Sequence, residues 1–437
     1  MTRGLSGSQS LLAGDVTETV LDVLHYGYDP GCARGGLPDT IAATASPRTH
    51  SGDVETLIQM ALDAFREAVD ASMTGVADDA THVVPLSAGL DSRAILAALL
   101  DRPDVHRSDV LTVTYGSPGT WDFEIGQRIA DVAAVRNVAV DLTADSLEWS
   151  LEALREYAAK RTCRGGIFDG YANWQASTAV PEDGVVWSGY TGGVTTGACL
   201  APDPADDWAT ACATFAEREA FATGLTPPDY DPTAVLPTEP FLPRSHLSFE
   251  EQLDFALRQQ CATGPVVLTA TESRFPFARP AWLEFSLNLP RSYRRHRSLF
   301  AEAFSTAYPD LFSLPTDATA GHTPTTGRLR QLLTRARLRV QAVAAGAFGR
   351  EFTHPATNYL DFEEAFRSGE LRAVGRTLTS EFARRGAVDW FDPTAVWQDH
   401  RAGADRTNEI LAICHAELSL SELRDRQTER PGPLVAQ

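Results

Sequence analysis

Lysine is all but missing from this chain. Lys160 is the only one in 437 residues, so the 38 basic side chains are otherwise arginines. They face 58 Asp and Glu, which leaves a formal net charge of −20. A surface of that sign lacks the basic footprint that nucleic-acid phosphates require, which excludes nucleic acid as a partner of the surface as a whole. Few lysines with abundant acids, Ala and Thr fit a protein held in molar intracellular salt, where counter-ions screen the like charges, in preference to a mere GC-rich coding bias. Cysteine is sparse and scattered: Cys32, Cys163, Cys199, Cys212, Cys261 and Cys414 form no C-x-x-C pair. That argues against a disulfide framework or a zinc site and for reduced thiols in a cytoplasm. Cys414 and His415 are neighbours in sequence, which does not make a catalytic dyad. No apolar run approaches ~18 residues, so no membrane span is expected. The N-terminus shows no basic-then-apolar signal, and the expected location is cytoplasmic.

A chain of this length can hold two or three domains and bury a large core. Residues 1–52, rich in Gly, Ser, Thr and Pro, read as a mostly irregular lead-in with one short helix near Val20–Leu24. From Val54 to Met73, Leu57, Met60, Ala61, Ala64, Phe65, Ala68 and Val69 fall on one helical face. Apolar runs at 83–86, 109–115, 138–142 and 184–187 read as strands, with helical patterns at 94–100 and 122–135 between them. Strands alternating with helices predict an open parallel sheet with right-handed crossovers. Residues 53–320 form one expected α/β domain, with loops at 201–207 and 226–243. Residues 321–437 form a mostly helical C-terminal region.

The most informative stretch is Ser87-Ala88-Gly89-Leu90-Asp91-Ser92, between the first strand and the helix behind it. A tight loop of small residues opening a helix gathers backbone N–H groups at an end carrying about half a positive charge. Gly89 allows close approach, and Ser87 and Ser92 add hydroxyls. Asp91 beside a phosphate implies an intervening cation, hence a nucleotide with Mg²⁺. The plainer alternative is an ordinary turn in which Asp or Ser caps the helix. The G-x-x-x-x-G-K-[ST] loop is absent.

This loop, followed by Thr112-Val113-Thr114-Tyr115-Gly116, Pro118-Gly119-x-x-Asp122, Ser188-Gly189-x-x-Gly192 and Glu272-Ser273-Arg274-Phe275-Pro276-Phe277, resembles the synthetase domain of asparagine synthetases. So does Trp282-Leu283-Glu284-Phe285-Ser286-Leu287-Asn288-Leu289-Pro290, and the matches keep their order over roughly 50–320. The resemblance implies a doubly wound parallel sheet of the adenine-nucleotide alpha-hydrolase (N-type ATP pyrophosphatase) kind. It also implies ATP and Mg²⁺ as cofactors and a ligase that turns a carboxylate into an acyl-adenylate for capture by ammonia or an amine. By position, Leu86, Ser87, Ala88, Gly89, Leu90, Asp91, Ser92, Tyr115, Gly116, Ser188 and Gly189 would hold the nucleotide. Asp91 would hold the metal, and Asp91, Arg93 and Glu272 would be catalytic.

The departures are specific. Tyr190, Gly193 and Val194 stand where the family keeps acidic residues, and Ala278-Arg279 replaces the end of its P-F-L-D block. The family's late lysine has no counterpart, leaving an arginine to steady the phosphates. The chain begins Met1-Thr2-Arg3 where a glutaminase half would begin Met-Cys, so nitrogen is expected from free ammonia, an amine or a separate glutaminase. Those losses keep a second expectation open: a degenerate member that binds nucleotide, or nothing, and works through partner contacts. A tRNA-thiolating enzyme fits less well, since paired cysteines are lacking. Arg328, Arg330, Arg335, Arg337 and Arg339 read as a solvated helix face with acidic neighbours, or as a docking site for an anion. The run Arg291–Arg297 reads as charge capping a helix end. Trp390, Phe391 and Trp397 read as core.

Overall fold

The computed structural model describes residues 18–33, 36–45, 50–144, 147–161, 165–268, 272–324, 326–347 and 352–428. Five strands, β1 (Thr81–Pro85), β2 (Val110–Gly116), β3 (Arg136–Asp141), β4 (Gly184–Trp187) and β5 (Glu272–Arg274), form one sheet in the order β3-β2-β1-β4-β5. All pairings are parallel, with Val83 beside Leu111 and Val186, and Trp187 beside Arg274. The expected α/β architecture with a parallel sheet is thus present. β5 was not legible as a strand: it is three residues long, polar, and at the sheet edge.

Both faces of the sheet are covered, which is why β1 and β2 read as nearly unbroken apolar runs rather than alternating ones. On one face lie α1 (Val54–Met73), α2 (Leu90–Leu100) and α3 (Trp121–Ala133). Asp53 caps α1 by accepting the Thr56 N–H at 2.8 Å, and Leu57, Ala61, Phe65, Ala68 and Val69 go into the core. α4 (Ile167–Ala176) covers the opposite face, where Ala176 packs with Val83, Val113 and Val186. The short α5 (Gly192–Thr196) follows β4. α6 (Pro280–Leu287) and α7 (Ser298–Ala307) pack on α1 through Phe65, Trp282 and Phe304. Ahead of α6 in sequence, Asp254–Thr263 is a π-helix that nothing in its residue pattern announced.

The last third is helical as expected, with α8 (Arg328–Ala347), α9 (Arg372–Arg385) and α10 (Thr407–Thr428) the longest helices. Phe366, Leu378, Ile410 and Cys414 share one core with Phe168 and Tyr171 of α4, so this region is packed on the sheet's covering helix. Trp397 is buried and the Trp390 indole N–H donates to the Leu225 carbonyl, in keeping with core roles. The lead-in carries more helix than expected, over 18–26 and Gly36–Thr44. Among the described residues, no helix is long and apolar enough to cross a membrane. Cys163 lies outside the described residues, and none of the five described cysteines is in a disulfide.

Candidate functional site at the carboxyl ends of the strands

From β1 the chain builds β2 and β3 on one side, then returns to lay down β4 and β5 on the other. The order therefore reverses between β1 and β4. Open parallel sheets bind ligands outside the strand carboxyl ends at such a point. The Ser87 loop leaves β1 and the Ser188 turn leaves β4, so the topology brings both glycine-rich segments to it.

The loop is held from within. The Leu86 N–H donates to the Val113 carbonyl at 2.9 Å and extends the sheet pairing one residue past β1. The Ala88 N–H donates to Asp122 Oδ1 at 3.0 Å, and the Gly89 N–H to Ser87 Oγ at 3.2 Å. Gly89 is the N-cap of α2, in extended conformation and with no side chain accepting from the helix. An Asp or Ser cap, the plainer expectation, is therefore not what forms. The first turn of α2 is left to an acceptor from outside.

Asp91, in that first turn, is clasped. A Cβ on Gly192 would stand 2.5 Å from Asp91 Cγ, and one on Gly189 would stand 3.0 Å from Asp91 Cβ. Only glycines let the second turn close on this carboxylate. Opposite them, the Arg297 guanidinium forms a short ion pair with Asp91 Oδ1. Burial pushes the Asp91 carboxyl above its ordinary value, against the pull of Arg297. Arg297 itself has a left-handed backbone (φ 60°) and lies over the Phe300 ring at 4.8 Å.

Three buried donors here lack a partner: Ser92 Oγ, Thr191 Oγ1 and Arg297 Nε. Buried polar atoms are nearly always satisfied, so unpartnered donors on the segments around Asp91, beside an uncapped helix end, fit an anion such as a phosphate chain. A divalent cation fits poorly. The carboxylate expected to hold Mg²⁺ is engaged by Arg297, and among the described residues no cluster of three Asp, Glu, His or Cys could ligate a metal.

Two expected catalytic residues sit elsewhere. Arg93 is fully buried, and its guanidinium donates to the carbonyls of Ala88, Leu311, Leu314 and Pro315, at 2.8 to 3.2 Å. It ties the loop to residues 311–315 and is turned away from the anion site. Glu272 stands at the start of β5 and pairs with Arg274, whose Nε donates to the Ser72 carbonyl at 2.8 Å. The amino end of β5 is the far end of the sheet from the Ser87 loop, so this pair is structural. Ser188 is buried and its Oγ accepts from the Tyr190 N–H at 3.2 Å. Tyr115 presents its ring to Tyr359, stacked at 5.8 Å and 4°, and the hydroxyl of Ser117, next to Gly116, donates to the Tyr359 carbonyl at 2.8 Å.

Five residues were missed or misplaced by sequence reasoning. Arg297 was read as helix capping, yet it supplies the cation facing Asp91. In the same run, Arg294 pairs with Glu251 at 2.7 Å. Asp122 stood inside a recognised block without a role. Its carboxyl, raised to about 6 by burial and further by Asp317, anchors the Ala88 N–H. Thr191, with φ 64°, and Tyr359 carried no signal beyond the residues beside them. A comparison with known protein families finds no match for this chain, and no curated protein is similar enough in sequence to count as a relative.

Proposed function

We propose that this protein is an ATP-dependent amide-forming enzyme of the asparagine synthetase type. In this reading ATP supplies the adenylyl group that activates a carboxylate, releasing pyrophosphate. Ammonia or an amine then captures the activated acyl group, and AMP departs. One observation carries the reading: the uncapped start of α2 and the unpartnered Ser92, Thr191 and Arg297 donors belong to segments that surround Asp91 where the strand order reverses. Ser92 Oγ, Thr191 Oγ1 and the first N–H groups of α2 would hold phosphate oxygens. Arg297 would offset their charge, with Asp91 fixing the guanidinium in place. Asp122 would keep the Ser87 loop in shape through the Ala88 N–H.

A second reading is supported by the Asp91–Arg297 pair and by the uncharged Tyr190, Gly193 and Val194. It is a nucleotide-binding, non-catalytic relative that acts through a partner. Purified protein in molar KCl, given ATP, ammonium and a pool of carboxylates that includes aspartate, separates the two. The enzyme reading predicts carboxylate-dependent release of AMP and pyrophosphate, lost in Asp91→Asn. ATP binding without turnover for any carboxylate supports the second reading.

A further inference from the structure

A cavity of about 610 Å³ opens beside the candidate site, between α4, the π-helix and the C-terminal helices. It is shared ground with that site. Tyr359 lines it while stacking on Tyr115, and the π-helix that contributes Arg258 also accepts the Tyr190 hydroxyl at the Gln259 carbonyl, 2.9 Å. α4 runs toward the start of β4, so Asp169 in its first turn lies at the same end of the sheet as the Ser87 loop.

Both cations that line the cavity, Arg218 and Arg258, are already paired. Arg218 pairs with Asp254 at 2.9 Å and with Glu219 at 2.9 Å, and Arg258 pairs with Glu219 at 3.4 Å. Two cations thus meet two carboxylates. His415 is neutral, since burial lowers it to about 4. Asp169 faces the cavity with no cation and no hydrogen-bond donor against it among the described residues, and burial alone raises its carboxyl to about 6. A carboxylate in such a place is costly unless something pairs with it. The wall around it is aromatic, with Tyr28, Phe221, Tyr359 and Phe362. Ring faces attract cations, and the volume is that of an ordinary small-molecule site.

We propose that this cavity binds an organic amine in its ammonium form, with Asp169 as the counter-ion and the aromatic side chains around its carbon body. Resting on the amide-forming reading, this amine is the acceptor of the activated acyl group, in place of free ammonia. Screening by salt is weak at a buried carboxylate, so the interaction survives molar KCl.

Binding is measured by calorimetry without nucleotide, using tyramine and n-hexylamine, each against the alcohol of the same carbon skeleton. The proposal expects at least one amine to bind ten-fold or more tightly than its alcohol. In Asp169→Asn that amine falls to the level of the alcohol, while the alcohol is unchanged. If neither amine outbinds its alcohol on the unaltered protein, or if Asp169→Asn binds the amine as well as the unaltered protein does, the proposal is overturned. Carboxylate-dependent exchange of pyrophosphate into ATP, run without amine on the same preparation, reports the adenylating reading separately.

Discussion

Asp122 shows what a single residue does at this site. Its carboxylate accepts from the Ala88 N–H, and burial holds its titration near 6 rather than at the ordinary 3.8. The folded state therefore binds the proton more tightly than the unfolded chain. The stability this contributes is complete below 3.8 and is lost as pH rises through about 6. Asn keeps an acceptor for Ala88 and carries no charge to bury. Asp122→Asn is thus expected to melt above the unaltered protein at pH 7.5, by up to about 3 kcal/mol of stability. The gap should close toward pH 4.5. An equal difference at both pH values would contradict this account of the loop. Arg93 and Arg297 give the complementary lesson: beside the same loop, Arg93 gives its terminal nitrogens to four carbonyls, while Arg297 gives one of its own to the Asp91 carboxylate.

The elements were legible in proportion to how local their cause is. β1, β2 and β4 announce themselves because β-branched and apolar residues suit a sheet buried on both faces. The glycine-rich turns announce themselves because close backbone approach demands glycine. β5 was hidden, since Glu-Ser-Arg becomes a strand only by pairing with Val185, Val186 and Trp187 far upstream. The Asp91–Arg297 pair joins residues 206 positions apart, and the Tyr115–Tyr359 stack is as remote, so neither has a local signature. α8 also departs from expectation. Its arginines meet no carboxylate among the described residues, and Leu329, Leu332, Leu333, Val340 and Val343 are exposed, between 59% and 74%. In Gly192→Ala the new methyl must displace Asp91, so ATP binding is expected to weaken at least ten-fold while far-ultraviolet circular dichroism is retained. Unchanged ATP affinity would mean that Asp91 is not clasped as described.

At the scale of the molecule, the charge of −20 sets the conditions of stability. Like charges repel across the surface at low salt, and the screening length shrinks from about 10 Å at 0.1 M to about 3 Å at 1 M. Melting temperature is expected to climb with KCl from 0.1 to 2 M, by on the order of 10 °C. A flat profile would show that the acidic composition is not a salt adaptation. The sheet, the reversal of strand order and the C-terminal helices together put the proposed anion site and the proposed amine cavity at the same end of the fold.

The central claim is that the start of α2, Ser92, Thr191 and Arg297 form a site for the phosphates of ATP. The most direct measurement is a calorimetric titration of ATP into the unaltered protein and into Arg297→Met, in molar KCl. The account predicts saturable one-to-one binding that falls at least ten-fold in Arg297→Met, with the variant still folded by circular dichroism. No ATP binding by the folded, unaltered protein, or equal affinity in the variant, would contradict it.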